Sequence, residues 1–197
     1  MTDPPSTYQI SRKMGLVLLL LMLILVALNI ILVKQNRDLK TSMNAHPGRP
    51  EDIRSGTAVP ALEGKDLNGN TFTISYGADR RKTVLLSFSP QCGICDMNMP
   101  NWEAIIKGVD KNAFRVAAVS LVTEGTKEYI ARHNFGDTPL MAEIKAEGRS
   151  AYKFHSTPQT VLIDASGKVE KVWTGLVRGE MRKEIEQALG VKLPAES

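Results

Sequence analysis

Both cysteines of this 197-residue chain stand in one C-x-x-C, Cys92-Gly93-Ile94-Cys95. That spacing serves three kinds of chemistry. A structural zinc site takes four ligands; the pair supplies two, and His133 and His155 would both have to complete it. A structural disulfide across so short a loop removes little unfolded-chain entropy. A redox dithiol needs only the pair at a helix start, where the macrodipole and unpaired backbone N–H groups stabilise a thiolate. In that third reading Cys92 is the exposed nucleophile that attacks or accepts a disulfide. Cys95, one turn further in, resolves the mixed disulfide.

The flanking sequence supplies the required strand and helix. Thr83-Val84-Leu85-Leu86-Ser87-Phe88 is a short apolar run of the kind found in buried central strands. Behind it, Trp102, Ile105, Ile106 and Val109 keep helical spacing, predicting a helix over 92–109 that Pro100 kinks. Ahead of it, the Asn68-Gly69 turn signal and the alternation Thr71–Ile74 predict a β-hairpin. Further along, 114–120 reads as a second buried strand, and 126–133 and 143–154 read as helices. Next come strands over 160–164 and 169–174, then a helix over 178–189 with Met181, Ile185 and Leu189 on one face. Strands alternating with helices, followed by a closing hairpin and helix, imply an α/β fold: a mixed sheet flanked by helices. Thr157-Pro158 leads into the 160–164 strand, where proline cannot donate to the ladder.

The N-terminal part has a different texture. Over Met14–Val33 only Gly15 and Asn29 fall outside the hydrophobic class. Twenty helical residues span about 30 Å, the hydrocarbon thickness of a bilayer. A signal peptide has a shorter apolar core ending in small residues, and this run exits through Ile-Ile-Leu-Val-Lys, so an uncleaved anchor is expected. Residues 34–55 are polar, contain Pro47, Gly48 and Pro50, and read as a flexible tether. The expected organisation is therefore a short cytoplasmic segment 1–13, a transmembrane anchor 14–33, a linker 34–55 and a globular domain 56–197. The net charge of +4 and pI of about 9.1 come from interspersed bases and acids. Arg80-Arg81-Lys82 is the densest basic run and reads as a solvated loop, so no nucleic-acid partner is expected.

The set Val84–Phe88, Ser89-Pro90-Gln91-Cys92-Gly93-Ile94-Cys95, Pro100 and Thr157-Pro158 before the 160–164 strand resembles the TlpA-like branch of the thioredoxin superfamily. These are membrane-anchored, extracytoplasmic thiol–disulfide oxidoreductases, and the resemblance covers roughly 57–189. It implies a thioredoxin-like fold with an N-terminal β-hairpin addition. It also implies a cis-proline at 158 that packs against the dithiol and presents the Thr157 backbone to the partner chain. Pro90, Gln91, Gly93 and Ile94 then support the active site. The Ser-Pro-x-Cys opening is similar to a subgroup that helps mature periplasmic methylamine dehydrogenase. Three features depart from the family pattern: Ser89-Pro90 and Gln91 replace the aromatic residues before the motif, Gly93-Ile94 lack its proline, and Asn98 stands where several reducing members carry a glutamate.

The expected activity is dithiol/disulfide exchange on disulfide-containing exported proteins. It needs no bound cofactor and is recharged by a membrane thiol partner that passes electrons. Such a dithiol makes chemical sense on the periplasmic side of the inner membrane, where disulfides form and are broken. Two alternatives stand beside it. One is a metal chaperone holding a soft cation through Cys92, Cys95 and His155. The other is a peroxiredoxin-like peroxidase, whose pattern needs serine or threonine three residues before the cysteine and proline seven before. Ser89 fits the first requirement and Leu85 fails the second.

Overall fold

A computed structural model of the chain describes residues 12–44 and 52–195, in two units. The first is a single helix, α1 (Arg12–Asn44). Its stretch Lys13–Gln35, 23 residues, is long and apolar enough to cross a membrane. The polar Asn29 side chain is satisfied inside the helix, where Nδ2 donates to the Leu25 carbonyl at 2.9 Å. The expected tether needs correction at both ends. The helix runs on to Asn44, because Lys34–Asn44 contains no glycine or proline to stop it. At the other end Asp52 and Ile53 are already buried in the globular unit. Residues 1–11 of the expected N-terminal segment and 45–51 of the expected linker lie outside the described residues.

The second unit holds the remaining elements in the order β1 (Leu62–Lys65), β2 (Thr71–Ile74), β3 (Lys82–Phe88), α2 (Gly93–Gly108), β4 (Phe114–Ser120), α3 (Thr126–Arg132), β5 (Leu140–Met141), β6 (Glu143–Ile144), α4 (Ala146–Ala151), β7 (Gln159–Ile163), β8 (Val169–Thr174) and α5 (Gly179–Leu189). The main sheet has the order β5-β4-β3-β7-β8. Strands β3, β4 and β5 are parallel, whereas β7 and β8 run antiparallel. This is a mixed sheet with helical crossovers and a closing hairpin, the architecture the sequence predicts. The expected hairpin is β1–β2, turned at Asn68-Gly69 with Gly69 at φ +83°.

Strand β3 shows why the sheet has this centre. From Thr83 to Phe88 every residue is buried, so both faces of the strand need cover. Val84, Leu86 and Phe88 enter one layer with Trp102 and Ile105 of α2 and Ile185 and Leu189 of α5. Leu85 enters the opposite layer with Val161, Ile163, Leu62, Tyr152 and Phe154. Trp102 ties helix to sheet as well, donating from Nε1 to Thr160 Oγ1 at 2.9 Å.

The helix expected over 143–154 is a strand followed by a single short helix. Glu143–Ile144 pair with Lys65–Gly64 of β1, and α4 covers only Ala146–Ala151. Gly64 permits this pairing, since a Cβ there would overlap the Glu143 carbonyl and the Met141 side chain. α2 continues through Pro100, which leaves the Asp96 carbonyl without its usual helical donor.

Candidate active site

Strand β3 ends at Phe88, and after three intervening residues Cys92 forms the N-cap of α2, in extended conformation at φ −93°, ψ 100°. The Cys92 N–H donates to the Ser89 carbonyl at 3.1 Å, closing the connecting turn. Cys92 Sγ takes the place of a capping oxygen and accepts from the Cys95 N–H at 3.2 Å. At this helix end the sulfur meets both a backbone donor and the positive end of the dipole.

Cys95 lies one turn in and is fully buried. Both are free thiols. Burial, then the hydrogen bond and charge of Cys92, push the Cys95 thiol up to about 12. The two sulfurs therefore differ in setting: Cys92 is half-exposed and accepts a backbone N–H, whereas Cys95 is buried and held protonated.

The structure brings Thr157 and Pro158 to the same place. Their peptide bond is cis. Pro158 is buried and Thr157 half-buried, with the Thr157 carbonyl 3.6 Å from Cys92 Sγ, accepting from the thiol. Around the dithiol, Gln91, Gly93 and Ile94 are exposed and Pro90 is half-buried. Pro90 lies beneath Gly125, whose φ of +77° starts α3; a Cβ on Gly125 would stand 3.5 Å from the Pro90 Cβ. Ser89 and Gln91 hold each other, with Ser89 Oγ 3.1 Å from Gln91 Oε1. Ile94 is 49% exposed and Met97 63%, an apolar rim beside the half-exposed sulfur.

Asn98 is buried below the dithiol and serves the fold. Its Oδ1 accepts from the Val177 N–H at 3.0 Å and from Asn101 Nδ2 at 3.3 Å, pinning the β8–α5 connection to α2. Sequence reasoning missed a contact made by Asp96. Its Oδ1 lies 3.0 Å from Nε2 of His133, the C-cap residue of α3. The acid sits in the first turn of α2, which was legible; the partner arrives by tertiary packing and left no sequence signal. His155 is exposed, and among the described residues no three His, Cys, Asp or Glu side chains gather as a metal-holding group. Cys92, Cys95 and His155 thus do not form the set that the metal-chaperone alternative requires.

Comparison with known proteins agrees with this architecture. The chain is 27% identical over 133 residues to a thioredoxin-like protein of Haemophilus influenzae, covering 66% of this chain and 72% of that one. It is 23% identical over 148 residues to sporulation thiol-disulfide oxidoreductase A of Bacillus subtilis, covering 70% and 86%. Among solved structures it resembles the thioredoxin domain of a thiol-disulfide oxidoreductase from Bacteroides vulgatus, with a TM-score of 0.54, 19% identity, and coverage of 70% and 99%. The AhpC/TSA family matches residues 55–172, from the segment before β1 into β8. With both cysteines and the cis-proline inside a match that spans more than half of its length, the chain belongs to the AhpC/TSA family.

Proposed function

We propose that the chain is a single-pass, membrane-anchored thiol–disulfide oxidoreductase that reduces disulfides in exported proteins from the extracytoplasmic side. The observation that carries this reading is the asymmetry of the two thiols: Cys92 caps α2 and accepts the Cys95 N–H, while Cys95 is buried and resists ionisation. The relatives named as thiol-disulfide oxidoreductases support the enzyme class.

The chemistry balances in two exchanges. The Cys92 thiolate attacks one sulfur of a substrate disulfide, forming a Cys92–substrate bond and releasing the other sulfur as a thiolate, which takes up a proton. Cys95 then gives up its proton and attacks Cys92 Sγ, releasing the second substrate thiol and leaving a Cys92–Cys95 disulfide. Two electrons have passed to the substrate, and a membrane thiol partner returns them. Thr157 and Pro158 position the substrate chain against Cys92, with Pro90, Gln91, Gly93 and Ile94 shaping the surface around it. A resolving thiol that strongly prefers its proton stabilises the disulfide relative to the thiolate pair and favours the reducing direction.

α1 supplies the anchor, with 14–33 in the bilayer, 1–13 on the cytoplasmic side and the globular unit outside. The reading is tested by the reduction potential of the Cys92–Cys95 pair, measured against glutathione or dithiothreitol. A value near about −300 mV is expected, and one near about −120 mV would reassign the chain as an oxidant.

A further inference from the structure

Beside the dithiol, α2 and α3 share a set of side chains that the exchange steps leave unused. Asp96 follows Cys95 in the first turn of α2, and its Oδ1 lies 3.0 Å from His133 Nε2. The His133 side chain is 18% exposed and that of Asp96 43%, so water screens the pair only in part. The His133 ring packs on Tyr129 with centroids 4.5 Å apart, and Tyr129 stacks on Phe88, the last residue of β3, at 4.9 Å. Tyr129 is fully buried and its hydroxyl has no hydrogen-bond partner.

The phenol also reports the local field. Burial first, then the charges of Cys95, Asp96 and Cys92, hold it above its ordinary range. Asp96 stands in the first turn of α2, the helix that Cys92 caps. Charged groups on the neighbouring residues are Arg132, whose guanidinium lies 5.7 Å from the Tyr129 ring centre, and Glu103 of α2, which accepts the Asn134 N–H at 3.2 Å.

A carboxylate at this point has two opposed effects. It suits the positive end of α2, but it repels a thiolate forming on the same helix turn. A protonated imidazole against it cancels the repulsion, and a neutral one does not. Histidine is the side chain that changes charge between about pH 5 and 8. We infer that His133 is a positioning residue of the dithiol: it holds Asp96 against α3, and its positive charge offsets that carboxylate and eases formation of the Cys92 thiolate. The inference rests on the oxidoreductase reading above and adds to it a residue through which pH sets how readily Cys92 reacts. Tyr129 packs against the imidazole and supports it beside Asp96.

The test follows iodoacetamide alkylation of Cys92 in the reduced full-length protein in detergent micelles. The rate is read by peptide mass from about pH 5 to about pH 9, for wild type, His133→Gln, Asp96→Asn and the double variant. Glutamine keeps a hydrogen bond to Asp96 without the charge. His133→Gln is expected to slow alkylation about three- to tenfold near pH 6, with the profiles converging above about pH 8. In the Asp96→Asn background the same substitution is expected to change the rate less than about twofold. Superimposable profiles for wild type and His133→Gln, or equal slowing in both backgrounds, overturn the inference. If His133→Gln does not fold, Asp96→Asn alone decides: it must remove an inflection near neutral pH that wild type shows. Failure of the wild-type protein to reduce insulin in the presence of dithiothreitol removes the oxidoreductase reading itself, and this inference with it.

Discussion

Cys92 Sγ and the carbonyl oxygen of Thr157 stand 3.6 Å apart, although 65 residues separate them along the chain. The neutral thiol donates to that oxygen, and a thiolate cannot. Ionisation of Cys92 would therefore free the Thr157 carbonyl for a donor from another chain, beside the sulfur at which we propose that exchange begins. The Cys95 N–H donates to the same sulfur at 3.2 Å.

This division of labour separates the two cysteine variants. Cys92→Ser is expected to lower insulin-disulfide reduction by roughly a hundredfold or more, since no other free thiol is exposed to begin the exchange. Cys95→Ser keeps the attacking sulfur and loses the resolving one. It is expected to accumulate a Cys92-linked mixed disulfide, visible as a mass increase that dithiothreitol reverses. Near-wild-type turnover by Cys92→Ser would remove the exchange mechanism.

The raised Cys95 thiol makes stability depend on alkaline pH. Its folded-state value of about 12 lies above the ordinary thiol value near 9.0. Below about pH 8.5 both folded and unfolded chains keep the proton, and the site contributes its full share. Above that, the unfolded chain releases a proton that the folded chain retains. Stability then falls by at most about 1.4 kcal/mol per pH unit until the folded thiol also ionises. Urea midpoints measured between about pH 8 and pH 11 are expected to fall for wild type and to fall less for Cys95→Ser.

The parts of the site built from local patterns were legible in the chain. The apolar run 83–88, the spacing of Trp102, Ile105 and Val109, and the cysteine pair between them place the dithiol on a strand-to-helix junction, as found. Thr157-Pro158 came from a resemblance, because nothing local says which loop returns to the dithiol. The Asp96–His133 contact was invisible for a related reason: it exists only because the end of α3 packs on the first turn of α2. Two-residue strands are also too short to show a period. Residues 143–154 are rich in alanine, glutamate and lysine and read as helix throughout, yet pairing with β1 claims the first two. The helix continuing to Asn44 was missed because polar composition suggested a tether, while backbone propensity had no reason to stop.

The buried bond between Trp102 and Thr160 can be tested without disturbing the shape of the core. Both residues are buried, and the indole Nε1 has Thr160 Oγ1 as its acceptor at 2.9 Å. Thr160→Val keeps the volume and leaves the indole N–H unpaired, at a cost of about 1–3 kcal/mol. The measurement is the urea midpoint at unchanged m-value. A loss below about 0.5 kcal/mol would show that the bond contributes little to holding α2 against β7.

Gly64 offers a sharper contrast, because one substitution has opposite consequences at two glycines. At Gly64 an added Cβ would overlap the Glu143 carbonyl, which is backbone and cannot swing aside, as well as the Met141 side chain. Relief requires β6 to leave β1, which frees Ile144 and exposes the neighbouring core around Leu62. Gly64→Ala is expected to cost about 1–3 kcal/mol. Gly93 opens α2, and nothing lies within 4 Å of its added Cβ. Gly93→Ala meets no obstacle and favours helix, so its effect is expected to stay within about 1 kcal/mol and to be stabilising if anything. Thermal unfolding of the two variants side by side checks the pair. Equal effects would mean that the β1–β6 contact yields readily, and that the second sheet does not depend on glycine at position 64.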